Sequence, residues 1–293
     1  MSSPAVATTR SPLGDYLELT KPRITLMVVL TALVGFVMAS PGSVDGRALL
    51  AALIGTGLVA SGASCLNMVI ERDIDARMQR TSQRPLPAGR LRPAEALAFG
   101  LAVTAAGLLH LGWTSGALAA VVAAVTWSSY LFLYTPLKPR TSLSTIVGAF
   151  PGALPPVIGW AAARGTLDGG AFVLFAILFL WQIPHFLAIA WIYRDDYERG
   201  GLPMLPVLDR AGFVTGRQAV ANSVALLVVS LSPVPARMAG GLYLVGAVVL
   251  GIAFTAAAAM AAVRRTTPAA RWLFLTSVLY LPALCGLLLL DRR

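Results

Sequence analysis

Acids, amides and arginines crowd the stretch from Asn67 to Pro87, directly after a long apolar run. If a helix continues through it, Asn67, Glu71 and Asp75 stand at i, i+4 and i+8, so their oxygens share one face over two turns. That is a metal-ligand spacing, and hard oxygen donors suit a divalent cation such as magnesium. Arg77, Arg80 and Arg84 follow at once. Guanidinium groups beside such a cation suit a phosphate or diphosphate. The plain alternative is a solvated, salt-bridged helix end at a membrane surface, the commoner explanation of an isolated charge cluster.

A second cluster weighs against that alternative. Trp191-Ile-Tyr-Arg194-Asp195-Asp196-Tyr-Glu198-Arg199 again ends an apolar run in acids. Asp195 and Glu198, three apart, can face the same way with Arg194 and Arg199 alongside, so a two-sided cation cage is expected. Between the clusters lie Tyr130 and Tyr134, four apart on one helix face, then Lys138 and Arg140. Tyrosines with snorkelling cations also fit an interfacial belt, but Lys138 is one of only two lysines in a chain that otherwise uses arginine. His185 lies about ten residues before the second cluster, roughly 15 Å along a helix axis. Gln182 and Pro184 adjoin it, and intramembrane polar groups tend to mark a cavity. His110 reads as an ordinary hydrogen-bonded core histidine.

The elements that must carry these residues are apolar. The chain has 293 residues, 57% hydrophobic and only 12% charged, and its apolar residues come in runs about one membrane thickness long. The expected class is all-α, a polytopic integral membrane protein of one domain over 1–293, with 1–20 flexible. The runs lack the alternation of a barrel, and a lipid-exposed backbone must satisfy its own hydrogen bonds. Expected spans are 22–40, 48–70, 95–113, 116–135, 143–162, 170–192, 215–233, 240–262 and 268–290, nine in all. The N-terminal segment and the loops after spans two, four, six and eight carry most of the 23 Lys and Arg. The N-terminus is therefore expected on the cytoplasmic side and the C-terminus outside.

The net charge of +10 does not point to nucleic acid, because the basic residues are spread among loops. Cys65 and Cys285 lie in apolar runs and imply no disulfide. The first twenty residues have no apolar h-region, which favours a bacterial inner membrane over a secreted or imported protein. Thr20-Lys21-Pro22-Arg23 reads as an ordinary interfacial helix start. Span two is rich in small residues that allow close helix approach, and the loop 81–90, with two prolines and a glycine, reads as a shaped turn able to fold over the site. Span five, with Pro151, Pro155 and Pro156, reads as a broken helix beside a substrate cavity. Spans seven to nine read as scaffold.

Carboxylates, amide and guanidinium groups above an apolar interior suit a substrate with a diphosphate head and a hydrocarbon tail. Magnesium bridging the acids to the diphosphate would stabilise charge on the departing oxygens, with Lys138 and the arginines neutralising the rest. The allylic cation left behind must meet an electron-rich acceptor before water does.

Asn67-x-x-x-Glu71-x-x-x-Asp75, Arg80-Thr-Ser-Gln-Arg84-Pro-Leu-Pro87 and the Asp195 to Glu198 cluster together resemble the UbiA superfamily of intramembrane prenyltransferases. Leu19-Thr-Lys21-Pro-Arg23, Tyr134-Thr-Pro-Leu-Lys138, Pro155-Pro-Val-Ile-Gly-Trp160 and Pro184-His185-Phe186 are similar to its haem-farnesylating branch, as is Glu71 where many superfamily members have Asp. The resemblance spans nearly the whole chain. It implies transfer of farnesyl from farnesyl diphosphate to a vinyl group of haem b, with addition of water and release of diphosphate. Haem b would be substrate and not cofactor, and a haem A synthase would receive the product.

Carried over by position, Asn67, Glu71, Asp75, Asp195 and Glu198 would be the magnesium ligands. Arg80, Arg84, Lys138, Arg140 and Arg199 would face the diphosphate, and His185, Tyr130, Tyr134 and Trp191 the acceptor. The family commonly has Lys-Arg after span four where this chain has Lys138-Pro139-Arg140, which leaves open which of the two reaches the diphosphate. Two readings compete with this one: UbiA-type prenyl transfer to an aromatic quinone precursor, and a transporter or lipid-binding subunit using the same polar loops.

Overall fold

The computed structural model of the chain describes residues 11–293 and is built from helices, with a single isolated bridge, Ala239 to Arg292, among the described residues. Of the N-terminal segment expected to be flexible, residues 1–10 lie outside the described ones. Pro12–Leu19 instead form helix α1, capped by Ser11 and held by Arg90, whose guanidinium lies 2.8 Å from Asp15 and 3.2 Å from Glu18.

The long helices follow as α2 (Pro22–Ala39), α3 (Gly46–Asp75), α4 (Pro93–Thr114), α5 (Ala117–Leu137), α6 (Ser144–Arg164) and α7 (Gly169–Ile192). Two short helices, α8 (Arg194–Arg199) and α9 (Leu205–Leu208), lead into α10 (Phe213–Val229), α11 (Gly241–Arg264) and α12 (Thr267–Leu290). Among the described residues, eight helices are long and apolar enough to cross a membrane. The expected span at 215–233 is α10, a shorter apolar helix of 17 residues that stands outside those eight. Pro233 and Pro235 follow it closely, and residues without an N–H cannot prolong the helix.

Three local features shape the site. Helix α3 has 30 residues, more than the roughly 20 needed to span a bilayer, so its last turns carry Asn67, Glu71 and Asp75 to the end of the bundle. Helix α5 widens into a π-helical turn over Ser129–Tyr134 before its last three residues, a distortion that recurs at functional sites. Helix α6 breaks at Leu154, because neither Pro155 nor Pro156 has an N–H to donate to the turn before it.

Helices α2 and α6 pack backbone to backbone. A Cβ on Gly35 would stand 1.9 Å from the Pro156 carbonyl oxygen, and one on Gly159 would stand 1.9 Å from that of Ala32. Without side chains at these two points the helices can approach as small residues allow within a membrane. The main core joins side chains of α2 to α7 with those of α10, α11 and α12. Two smaller clusters clamp the loop after α3: Leu86 and Leu91 pack with Leu19, Cys65 and Met68, while Met78 packs with Ala190, Tyr197 and Leu202. The loop is a fixed piece of the fold.

Candidate functional site

One end of the bundle gathers the start of α2, the ends of α3, α5 and α7, and the clamped loop. There the spacing argument for α3 holds: Asn67, Glu71 and Asp75 are buried at 2%, 4% and 1% exposure. Each meets a cation. Lys21 Nζ donates to Asn67 Oδ1 at 2.7 Å, Lys138 Nζ to both oxygens of Glu71 at 3.1 Å, and Arg84 to Asp75 Oδ2 at 2.6 Å. Asn67 Nδ2 donates to Thr135 Oγ1 at 3.2 Å, and that hydroxyl donates to the Tyr130 carbonyl across the π-helical turn. The widened turn of α5 thereby fixes the amide of α3.

Lys21 is the residue that sequence reasoning missed. Its sequence position predicts an interfacial cation, but as the N-cap of α2 it takes a left-handed backbone, φ 47°, that directs it onto Asn67. Residue type is its one mark in the sequence: Lys21 and Lys138 are the chain's only two lysines, and in the structure both reach the α3 oxygens. Burial pulls the Lys21 ammonium down to about 8, aided by the Arg84 charge and opposed by Glu71. Burial also works against the Lys138 charge, yet Tyr134 and Glu71 beside it outweigh that and hold it above the usual lysine range.

The second acidic cluster lies at the same end, arranged differently from expectation. Asp196 is its buried member: its carboxylate accepts from the backbone N–H of Gln79 at 2.7 Å and of Arg80 at 3.2 Å, and from Arg199 at 2.7 Å. Arg199, expected beside Asp195 and Glu198, is thus turned to Asp196. Asp195 and Glu198 have side chains 78% and 50% exposed, Asp195 lying 3.6 Å from Arg194 and Glu198 pairing with Arg210. On a helix as short as α8, the face that packs on the loop takes position 196, so 195 and 198 fall on the open side. Burial would raise the Asp196 carboxyl, but its bonds to Arg199, Gln79 and Arg80 outweigh burial and hold it below the usual range. Tyr193 and Tyr197 sandwich the Arg80 guanidinium, 5.1 and 5.5 Å from its carbon.

The aromatic residues divide. Tyr130 and Tyr134 stack at 5.6 Å, with Lys138 Nζ 5.9 Å from the Tyr134 ring centre, so they adjoin the α3 oxygens. Trp191 lies against Gly212 and under Arg194, and His185 faces α12, where its Nδ1 meets Ser277 Oγ at 2.7 Å. Arg140 is exposed. His110 bonds the Ala51 carbonyl at 3.0 Å, the core role expected of it.

Among the described residues, no three His, Cys, Asp or Glu side chains are grouped to hold a metal. Asn67, Glu71 and Asp75 offer two carboxylates and an amide, a hard oxygen set that fits magnesium. Asp75 Oδ1 is buried without a hydrogen-bond partner. A buried carboxylate oxygen left open beside this donor set fits a cation that completes it.

The UbiA prenyltransferase family profile matches residues 28–281. A protoheme IX farnesyltransferase of Solibacter usitatus (strain Ellin6076) is 50% identical over 287 residues, covering 95% of this chain and 98% of the relative. Among solved structures, a digeranylgeranylglyceryl phosphate synthase superposes with a TM-score of 0.80 at 17% identity, over 95% of this chain and 98% of the other. A UbiA homologue from Archaeoglobus fulgidus bound to GPP and Mg2+ gives 0.66 at 17% identity, over 94% and 99%. These last two show a shared fold.

Proposed function

The chain belongs to the UbiA prenyltransferase family, and from that premise we propose that it transfers farnesyl from farnesyl diphosphate to a vinyl group of haem b. Water adds to the substituted vinyl carbon and diphosphate leaves. The observation that carries the reading is the buried row of Asn67, Glu71 and Asp75, each faced by a cation, at the end of an apolar bundle. The haem acceptor and the farnesyl donor rest on the name of the 50%-identical relative.

In this reading Asn67, Glu71 and Asp75 hold magnesium, with Asp195 and Glu198 as a second set of oxygens at the rim. When bound, magnesium would neutralise charge on the diphosphate oxygens. Lys21, Lys138 and Arg84 turn from the α3 oxygens to the diphosphate and stabilise the charge it gains as the allylic bond breaks. Arg80, Arg140 and Arg199 add positive potential at the entrance. Tyr130 and Tyr134 present ring faces that attract the allylic cation and exclude water until the vinyl group attacks.

The proposed setting is a single domain of nine spans with α10 as the seventh, in a bacterial inner membrane. The N-terminus and the site face the cytoplasm, and a haem A synthase takes the product. The test supplies purified protein in nanodiscs with farnesyl diphosphate, haem b and Mg2+. The extracted haem should gain the mass of one farnesyl group plus one hydroxyl, with one pyrophosphate released per haem, and chelation should stop both. Pyrophosphate release with 4-hydroxybenzoate but not with haem would overturn the acceptor.

A further inference from the structure

His185 stands apart from the charged site, among the aromatic side chains of α7 and α12. Its ring stacks on Trp181 at 4.9 Å and lies 5.2 Å from Phe274 and 5.5 Å from Phe186. Trp181 Nε1 donates to the Ser277 carbonyl at 2.8 Å and so ties the two helices at this level.

The Ser277 hydroxyl decides which ring nitrogen of His185 carries the proton. Ser277 is fully buried, and its Oγ lies 2.5 Å from the Phe274 carbonyl oxygen. A carbonyl has no hydrogen to give, so the single hydroxyl proton lies in that bond. The Oγ, 2.7 Å from His185 Nδ1, can then only accept. Nδ1 therefore bears the hydrogen and Nε2 keeps its lone pair. Among the described residues nothing hydrogen-bonds Nε2. An imidazole whose one nitrogen donates to a fixed oxygen while the other presents a lone pair has the arrangement of a metal-ligating histidine with its outer-shell partner.

We propose that His185 Nε2 is an axial ligand to the iron of the haem acceptor, with Ser277 as the residue that fixes its tautomer. The proposal rests on the haem reading given above. Neutral imidazole suits haem iron, and the surrounding rings of Trp181, Phe186 and Phe274 make the setting apolar. Ligation would register the macrocycle, and so its vinyl groups, against the diphosphate site.

The test adds ferric haem b to protein in nanodiscs and follows the Soret band and the electron paramagnetic resonance of the iron. Wild type should show a histidine-ligated spectrum that His185→Gly loses and added imidazole restores. Ser277→Ala should keep the spectral type and weaken haem affinity about 10- to 100-fold, as loss of an outer-shell partner does. Both variants should still bind Mn2+ with pyrophosphate, which reports an intact fold. An unchanged spectrum in His185→Gly, with haem still bound, overturns iron ligation and leaves the haem reading standing. A loss that imidazole does not restore overturns it too, because it marks a packing role. Wild type that takes up no haem overturns both readings.

Discussion

Lys138 Nζ lies 3.1 Å from both carboxylate oxygens of Glu71, joining the end of α5 to the last turns of α3. The two side chains are 14% and 5% exposed, so this is a buried pair. Removing one member leaves an uncompensated charge, whereas removing both leaves two neutral groups.

Glu71→Gln or Lys138→Met alone is therefore expected to lower stability by about 3–5 kcal/mol. The double variant should recover most of that loss and remain inactive. Reversible unfolding in mixed micelles with urea or SDS measures the first quantity and pyrophosphate release the second. Single variants as stable as wild type would mean that the pair is solvated.

Lys21→Met should reduce turnover on the order of 10²-fold, the effect of losing one donor aimed at developing charge. The lysine's lowered affinity for its proton shows how poorly solvated the ammonium is, so a neutral replacement should leave the unfolding midpoint close to wild type. Steady-state rates beside a melting curve separate the two effects. Full activity with an unaltered melt would return Lys21 to the role of an interfacial cation.

How far these residues could be read from sequence follows from the periodicities involved. Asn67, Glu71 and Asp75 were legible because one helix period carries all three, and eight of the expected spans match helices of spanning length because apolar runs register length directly. Lys21 was not legible: its approach to Asn67 depends on a left-handed residue at a helix start, which no periodicity signals. Asp196 was hidden for a related reason. Three acids on six residues can each face inward, and the choice is made by the backbone amides of Gln79 and Arg80, more than a hundred positions away. The arrest of α10 after 17 residues was written in Pro233 and Pro235, but hydropathy alone passes over such breaks.

Asp196 also carries a pH dependence. Its folded carboxyl sits below the unfolded value of about 3.9, so it contributes stability that is fully present above that unfolded value and fades as pH falls through the folded one. Asp196→Asn should cost about 2–3 kcal/mol near pH 6, since the bonds lost are to a charged acceptor. Below pH 4 the gap to wild type should narrow as the wild-type carboxylate itself becomes protonated. Thermal unfolding at both pH values in metal-free buffer reads this directly, and a gap that widens on acidification would contradict it.

Asp75 separates the metal from the ion pairs. Its Oδ2 is held by Arg84 at 2.6 Å, while Oδ1 is buried with no partner. An oxygen satisfied only by a bound cation weakens the metal-free protein and strengthens the loaded one. Asp75→Ala is accordingly expected to abolish binding of Mn2+ in the presence of pyrophosphate, followed by electron paramagnetic resonance, and to abolish turnover, while the chain still inserts in the membrane. Added Mn2+ with pyrophosphate should raise the melting temperature of wild type and leave that of the variant where it was. If Asp75→Ala were to bind Mn2+ as wild type does, the open oxygen would be a cost of the Arg84 pairing and the metal would have to be held without Asp75.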